Sequence, residues 1–136
     1  MSNRRMAREC ALQSLYFADS VKEPDTQNLL RYTADFKKEL GASFSFCENL
    51  VAGTEKHKAA IDKLVSAYAK NWTITRMSAV DRSILRMATY EMVFSPEKTP
   101  IPAIIDEAIE LAKKYSTENS SKFINGLLDQ LKKERK

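Results

Sequence analysis

The sequence predicts an all-α fold of six or seven helices, and three observations carry that expectation. Apolar residues recur at helical spacing along most of the 136 residues. Only 3 Gly and 4 Pro occur, too few turn-formers for a β-sandwich and no Gly-rich loop for a nucleotide-binding α/β domain. No segment reads as a strand. The length suits one domain able to bury roughly two-thirds of its unfolded surface. A composition of 43% hydrophobic and 29% charged residues is that of a folded, soluble chain.

Residues 4–19 place Ala7, Cys10, Ala11, Leu15 and Ala18 on one stripe, with Asn3 as N-cap. After Pro24 and an Asp25 cap, Leu29, Tyr32, Thr33, Phe36 and Leu40 repeat at helical spacing until Gly41 stops the helix. A long helical segment is expected from about Ser43 to Lys70, clearest at Ile61, Leu64, Val65 and Tyr68. Asn71 to Thr75 reads as a connection. Ser78 and Asp81 begin a helix over 79–94 in capping-box fashion. Residues 95–102 hold three prolines and form a loop. The helix over 103–115 buries Ile104, Ala108, Leu111 and Tyr115; the last helix, after a loop at 116–119, buries Ile124, Leu127, Leu128 and Leu131. These helices group into two small bundles, roughly 1–72 and 73–136, within one domain.

The exclusions are broad. No apolar run approaches the roughly 20 residues that span a bilayer, and the start of the chain lacks a signal-peptide core, so a cytoplasmic protein is expected. Cys10 and Cys47 lie in helical patterns without CxxC spacing and read as buried, reduced thiols. A single histidine, His57, removes most zinc and acid–base sites and reads as a surface residue. Asp106, Glu107 and Glu110 read as a solvated face. With no Walker loop and no nucleophile elbow, neither enzyme nor cofactor is expected.

Charge is informative by position. The net charge is +4, but residues 1–9 hold three arginines against one acid, and residues 122–136 hold five basic residues against two acids. If the two ends meet, they form a surface for a polyanion; for the last five residues, frayed and solvated ends are the simpler reading. Arg4, Arg5 and Arg8 all fit one phosphate-lined groove, although Arg5 also stands at pairing distance from Glu9. In the last helix Asn119, Lys122, Phe123 and Gly126 share a face about 90° from the core stripe. A ring beside an ammonium and an amide suits an unstacked base. Spacing alone leaves a second reading, and favours it: Phe123 widens the core stripe and Lys122 is solvated. Arg82 and Arg86 read as an exposed charged face or a partner surface.

The segments Arg4–Tyr16, Val80–Glu91, Ile105–Tyr115 and Lys122–Asp129 resemble the NusB family of bacterial transcription antitermination factors, in family order and spacing. Residues 20–60 match least. The resemblance implies two perpendicular helical bundles and a non-catalytic role. That role is to bind the boxA element of nascent RNA, best as a heterodimer with NusE, a small-subunit ribosomal protein. The complex joins RNA polymerase and other Nus factors during ribosomal RNA transcription. The resemblance maps RNA binding onto Arg4, Arg5, Arg8, Asn119, Lys122 and Phe123, and the NusE-facing surface onto Tyr16, Asp81 and Arg86.

Met6 stands where some relatives carry arginine, and Asn119 where some carry an acid. The same fold also precedes a ribosomal RNA methyltransferase, a reading that fits poorly with a chain that stops at Lys136 without a Gly-rich loop. The alternative is a homodimeric protein–protein scaffold in which the arginine-rich first helix is a self-association surface.

Overall fold

The computed structural model describes residues 3–21, 26–69, 73 and 76–135. Among them there are eight α-helices and no strand: α1 (Asn3–Ser20), α2 (Thr26–Ala34), α3 (Lys37–Leu40), α4 (Phe44–Lys56), α5 (Lys58–Tyr68), α6 (Ala79–Thr89), α7 (Ile101–Tyr115) and α8 (Glu118–Leu131). The all-α expectation holds. No helix among the described residues is long and apolar enough to cross a membrane. The caps expected at Asp25 and on the Asn3 side chain, and the connection at Asn71–Thr75 apart from Thr73, lie outside the described residues.

The α1 stripe is buried as expected, with Ala7, Cys10, Ala11, Leu15 and Ala18 all in the core. Its small residues let α1 pack against α4 on one side and α6 on another. The helix expected through Leu40 breaks at Asp35 and Phe36, and Gly41, at φ 54, ends α3 in the left-handed region that glycine tolerates. The long segment expected from Ser43 also divides, at His57. That histidine, expected at the surface, is half-buried: its ring stacks on Phe94 at 4.8 Å and approaches Tyr90 at 5.9 Å.

Ser78 caps α6, its Oγ accepting from the Asp81 amide at 3.1 Å. The helix does not run evenly to residue 94, because Tyr90–Phe94 form a π-helical turn closed by the Ser95 amide on the Tyr90 carbonyl at 2.9 Å. Helix α7 begins earlier than expected, at Ile101, with Pro102 in its first turn where a missing N–H costs nothing. Thr117 caps α8 through the Ser120 amide at 3.0 Å. Tyr115, expected in the core, is 36% exposed. Glu134 and Arg135 are tethered, not frayed: Arg135 Nε donates to the Met92 carbonyl at 2.8 Å, and the Tyr68 hydroxyl donates to Glu134 at 2.5 Å.

Helix α6 packs on α1, α5, α7 and α8, so a single apolar core runs through the described residues. At one end of α6, Arg82 and Arg86 are held in the interior. Arg86 grips Asp62 of α5 through Nε at 2.8 Å and Nη2 at 2.9 Å, and reaches Asp19 of α1 at 3.1 Å. Arg82 meets Asp19 at 2.6 Å. The exposed charged face expected for this pair is therefore corrected: the two cations bind α1, α5 and α6 together.

Two consequences can be measured. Gly53 of α4 lies under the buried Tyr90 ring, and a Cβ there would overlap it. The overpacking cost of about 1–3 kcal/mol exceeds the helix-propensity gain of about 1 kcal/mol, so Gly53→Ala should lower the melting temperature, and adding Tyr90→Leu should recover part of the loss. At Asp19, burial by itself pushes the carboxyl up, but the hydrogen bonds and charges of Arg82 and Arg86 outweigh it and hold the value below the usual 3.8. A lowered folded value contributes stability above pH 3.8 that disappears as pH falls through it. Urea midpoints of the native protein and Asp19→Asn should therefore differ at neutral pH and converge on strong acidification.

Candidate nucleic-acid interface

The three arginines that open α1 have different surroundings. Arg8 is only 5% exposed. Its Nε donates to Glu91 Oε2 at 2.9 Å and its Nη2 to Oε1 at 2.7 Å, a two-pronged pair with the π turn. Burial alone would lower the Arg8 pKa, but the Glu91 hydrogen bonds and charge outweigh it and hold the pKa above its usual value. The expectation that Arg8 faces a phosphate-lined groove is corrected, because its fork is already filled by a buried carboxylate.

Arg4 and Arg5 are exposed. Arg4 pairs with Glu97, and its Cζ stands 4.4 Å from the centre of the Phe46 ring, with Arg8 Cζ 5.1 Å from the same ring. Arg5 reaches Glu107 through Nε at 3.2 Å and Nη2 at 3.1 Å. Glu9, the alternative partner, instead accepts from Lys114 at 2.8 Å. Pairs made by exposed arginines like these are screened by water and salt, so a polyanion can compete for Arg4 and Arg5.

On α8, Asn119 and Lys122 are exposed and Phe123 is half-buried. Asn119 and Phe123 line a cleft of about 210 Å³ with Arg76, Met77, Ser78, Asp81 and Ser120. Gly126 lies a turn beyond it with open space above its backbone. The cleft is framed by two capped helix starts, and Asp81 ties them together. One carboxylate oxygen accepts from the Ser116 hydroxyl at 2.8 Å and the other from Ser120 at 2.7 Å. The arginines and this cleft do not form one pocket. Arg5 meets Glu107, while Ser116 beside the cleft lies about 13 Å farther along the α7 axis at 1.5 Å per residue. Only an extended ligand touches both.

The positions mapped to a protein partner also separate. Tyr16 is 45% exposed and lies in an apolar groove of about 380 Å³ with Leu12, Phe17, Tyr32, Val80 and Tyr115. The Phe17 and Tyr32 rings stack there at 4.7 Å. Arg86 is 9% exposed and spent on Asp19 and Asp62, so its placement on a partner surface is corrected. Asp81 is half-buried at the cleft. The groove and the cleft share walls, since Val80 precedes Asp81 and Tyr115 precedes Ser116.

Three important residues escape a pattern reading. Glu91 left one signal, a lone acid inside the apolar run Met87–Phe94. Phe46 and Arg76 left none. Cys10 and Cys47 are buried thiols as expected; burial pushes them up to about 11 and about 12, which keeps both protonated. No cluster of metal-binding side chains occurs among the described residues.

The NusB family model matches residues 5–133. The chain belongs to the NusB family. It is 64% identical to the transcription antitermination protein NusB of Elusimicrobium minutum, over all of this chain and 97% of that protein. It is 45% identical to NusB of Geobacter sulfurreducens, over 96% of this chain and 94% of that one. Its fold is similar to that of T. maritima NusB, with a TM-score of 0.82 at 36% identity, covering 97% of this chain and 92% of that one. It is also similar to a chain in a crystal structure of the antitermination factors NusB and NusE in complex with double-stranded RNA. There the TM-score is 0.83 at 26% identity, with 98% of each chain covered.

For this NusB-family chain, the buried pair makes a stability prediction. Glu91→Ala leaves the Arg8 charge buried without its partner and should cost about 3–5 kcal/mol in urea unfolding. Arg8→Met combined with Glu91→Leu should lose far less. Equal stability of Glu91→Ala and the native protein would show that the pair does not anchor α1.

Proposed function

We propose that this protein is a non-catalytic, cytoplasmic RNA-binding adaptor that engages boxA-type single-stranded RNA together with NusE during ribosomal RNA transcription. The observation that carries the reading is the cleft where Asn119 and Phe123 meet, a half-buried ring beside an amide with Lys122 exposed next to it. A base stacks against Phe123, Asn119 reads its edge, and Lys122 holds phosphate. The strand extends to the exposed Arg4 and Arg5, which exchange their acidic partners Glu97 and Glu107 for phosphates. Arg8 serves as a positioning residue: through Glu91 and the shared Phe46 ring it sets where Arg4 and Arg5 stand.

NusE occupies the apolar groove around Tyr16, with Asp81 at its edge. Support comes from the relative crystallised with NusE and RNA, whose chain matches this one over nearly its whole length. Because groove and cleft share the Val80–Asp81 and Tyr115–Ser116 walls, a protein seated in one steadies the other. The assembled pair then joins RNA polymerase with other Nus factors.

The test is fluorescence anisotropy of a labelled boxA RNA and a scrambled control, with and without NusE, at two salt concentrations. Preferential boxA binding that NusE tightens is expected. Phe123→Ala should lose about 1–3 kcal/mol, the worth of one stacked base, with little change in salt dependence. Equal binding of both RNAs, or a salt-stable dimer in light scattering that ignores RNA, would overturn the adaptor reading.

A further inference from the structure

We infer that Arg76, ahead of α6, is a further phosphate-binding residue of the cleft, and that with Lys122 it forms a pair of cations flanking one seated base. The inference rests on the RNA reading above and names a residue that reading does not use. It starts from where the chain's cations are committed. Arg8, Arg82 and Arg86 are held in the interior by Glu91, Asp19 and Asp62. Arg135 is spent on backbone carbonyls of the π turn. Arg4, Arg5, Lys114 and Lys132 each face a surface acid. Arg76 and Lys122 are exposed and in none of the ion pairs of the described residues, as are Lys56, Lys63, Lys98 and Lys113, but among these Arg76 is the one that lines the cleft.

The other polar groups of the cleft are turned inward. Both Asp81 oxygens accept serine hydroxyls, Ser78 Oγ accepts the Asp81 amide, and Ser120 Oγ lies 3.0 Å from Thr117 Oγ1. The acid that would oppose an incoming phosphate is thus occupied by donors on each oxygen. Arg76 is itself positioned, since its amide donates to the Thr73 carbonyl at 3.0 Å. Asn119 sits in the first turn of α8, where the helix dipole favours negative charge.

Size decides what enters and what stays outside. At about 210 Å³ the cleft is smaller than the roughly 300–1,000 Å³ pockets that enclose a whole small-molecule ligand. It has room for one ring system against Met77 and Phe123. The sugar–phosphate then runs along the rim, where Arg76 lines the α6 side and the exposed Lys122 immediately precedes Phe123 on α8. An apolar wall, a reading amide and an arginine in the lining, with an exposed lysine next to the ring in sequence, match a nucleotide within a strand. A carboxylate ligand would leave the ring contact unused.

The experiment is a salt titration of labelled boxA RNA binding, by anisotropy, for the native protein, Arg76→Gln, Arg76→Lys and Lys122→Gln, with circular dichroism melts as the folding control. Losing one phosphate contact on a single strand should flatten the slope of log K against log salt by about 0.7, which corresponds to about fivefold weaker binding at 0.1 M salt. Arg76→Gln should show that flattening, Arg76→Lys should retain most of the native slope, and binding of NusE alone should be unchanged. An Arg76→Gln protein that melts like the native one and keeps its slope overturns the inference while leaving the RNA reading intact. If the native protein shows no preference for boxA over the scrambled RNA, the RNA reading itself fails, and this inference with it.

Discussion

A buried arginine–glutamate pair cannot slide. Both charges have left water, and each is stable only in the other's two-pronged grip, so the elements that carry them share one register. In this molecule the pair is Arg8 of α1 with Glu91 of the π turn, and much of the surrounding architecture follows from it. The π turn aims Glu91 inward while leaving its backbone carbonyl and that of Met92 to Arg135, so both ends of the chain attach to the same five residues. Phe46 of α4 packs beneath the guanidinium groups of Arg4 and Arg8, which carries the register across to a third element.

The far end of α1 is fixed in the same way. Asp19 receives Arg82 and Arg86, and Arg86 also binds Asp62, so three helices meet at one charge network. Between these two anchors the buried face of α1 is apolar apart from Ser14, whose hydroxyl donates within the helix to the Cys10 carbonyl at 3.1 Å. The other face meets solvent. Exposed arginines stand at its beginning, and the aromatic groove of Tyr16 and Phe17 lies toward its end. A helix pinned at both ends holds the exposed arginines and the aromatic groove in a fixed relation, and rigid positioning lowers the ordering cost of any association through them.

Much of the fold was legible in the sequence because burial in helices leaves a period. The stripes of α1, α7 and α8 were readable from Ala7 to Ala18, from Ile104 to Leu111, and from Ile124 to Leu131, and the cap at Ser78 follows the chemistry of its side-chain oxygen. The breaks were not readable. His57 interrupts a continuous helical pattern because its ring packs on Phe94 and Tyr90, residues more than thirty positions away. The π turn likewise lies within an unbroken apolar run, and nothing local distinguishes it from α-helix. Tyr115 continues a core stripe by spacing yet faces the groove, since the helix ends there.

What the sequence by itself determined is the class of the molecule: all-helical, without a recognisable catalytic constellation, with arginines at one end and an amide, an ammonium and a ring on a face of the last helix. Composition and period carry that information, because they depend only on neighbours along the chain. What tertiary structure alone decided is the job of each charge. Arg4, Arg5 and Arg8 are equivalent by spacing, but one is sealed against Glu91 and two remain at the surface. Arg82 and Arg86 read as surface charges and are interior struts, while Arg76, which has no pattern at all, stands on the cleft of Asn119 and Phe123. The physical reason is range. Apolar burial is averaged over a whole helical face and survives in the local pattern, whereas an ion pair is a contact between two particular atoms, here as many as 105 residues apart, and exists only once the chain has folded.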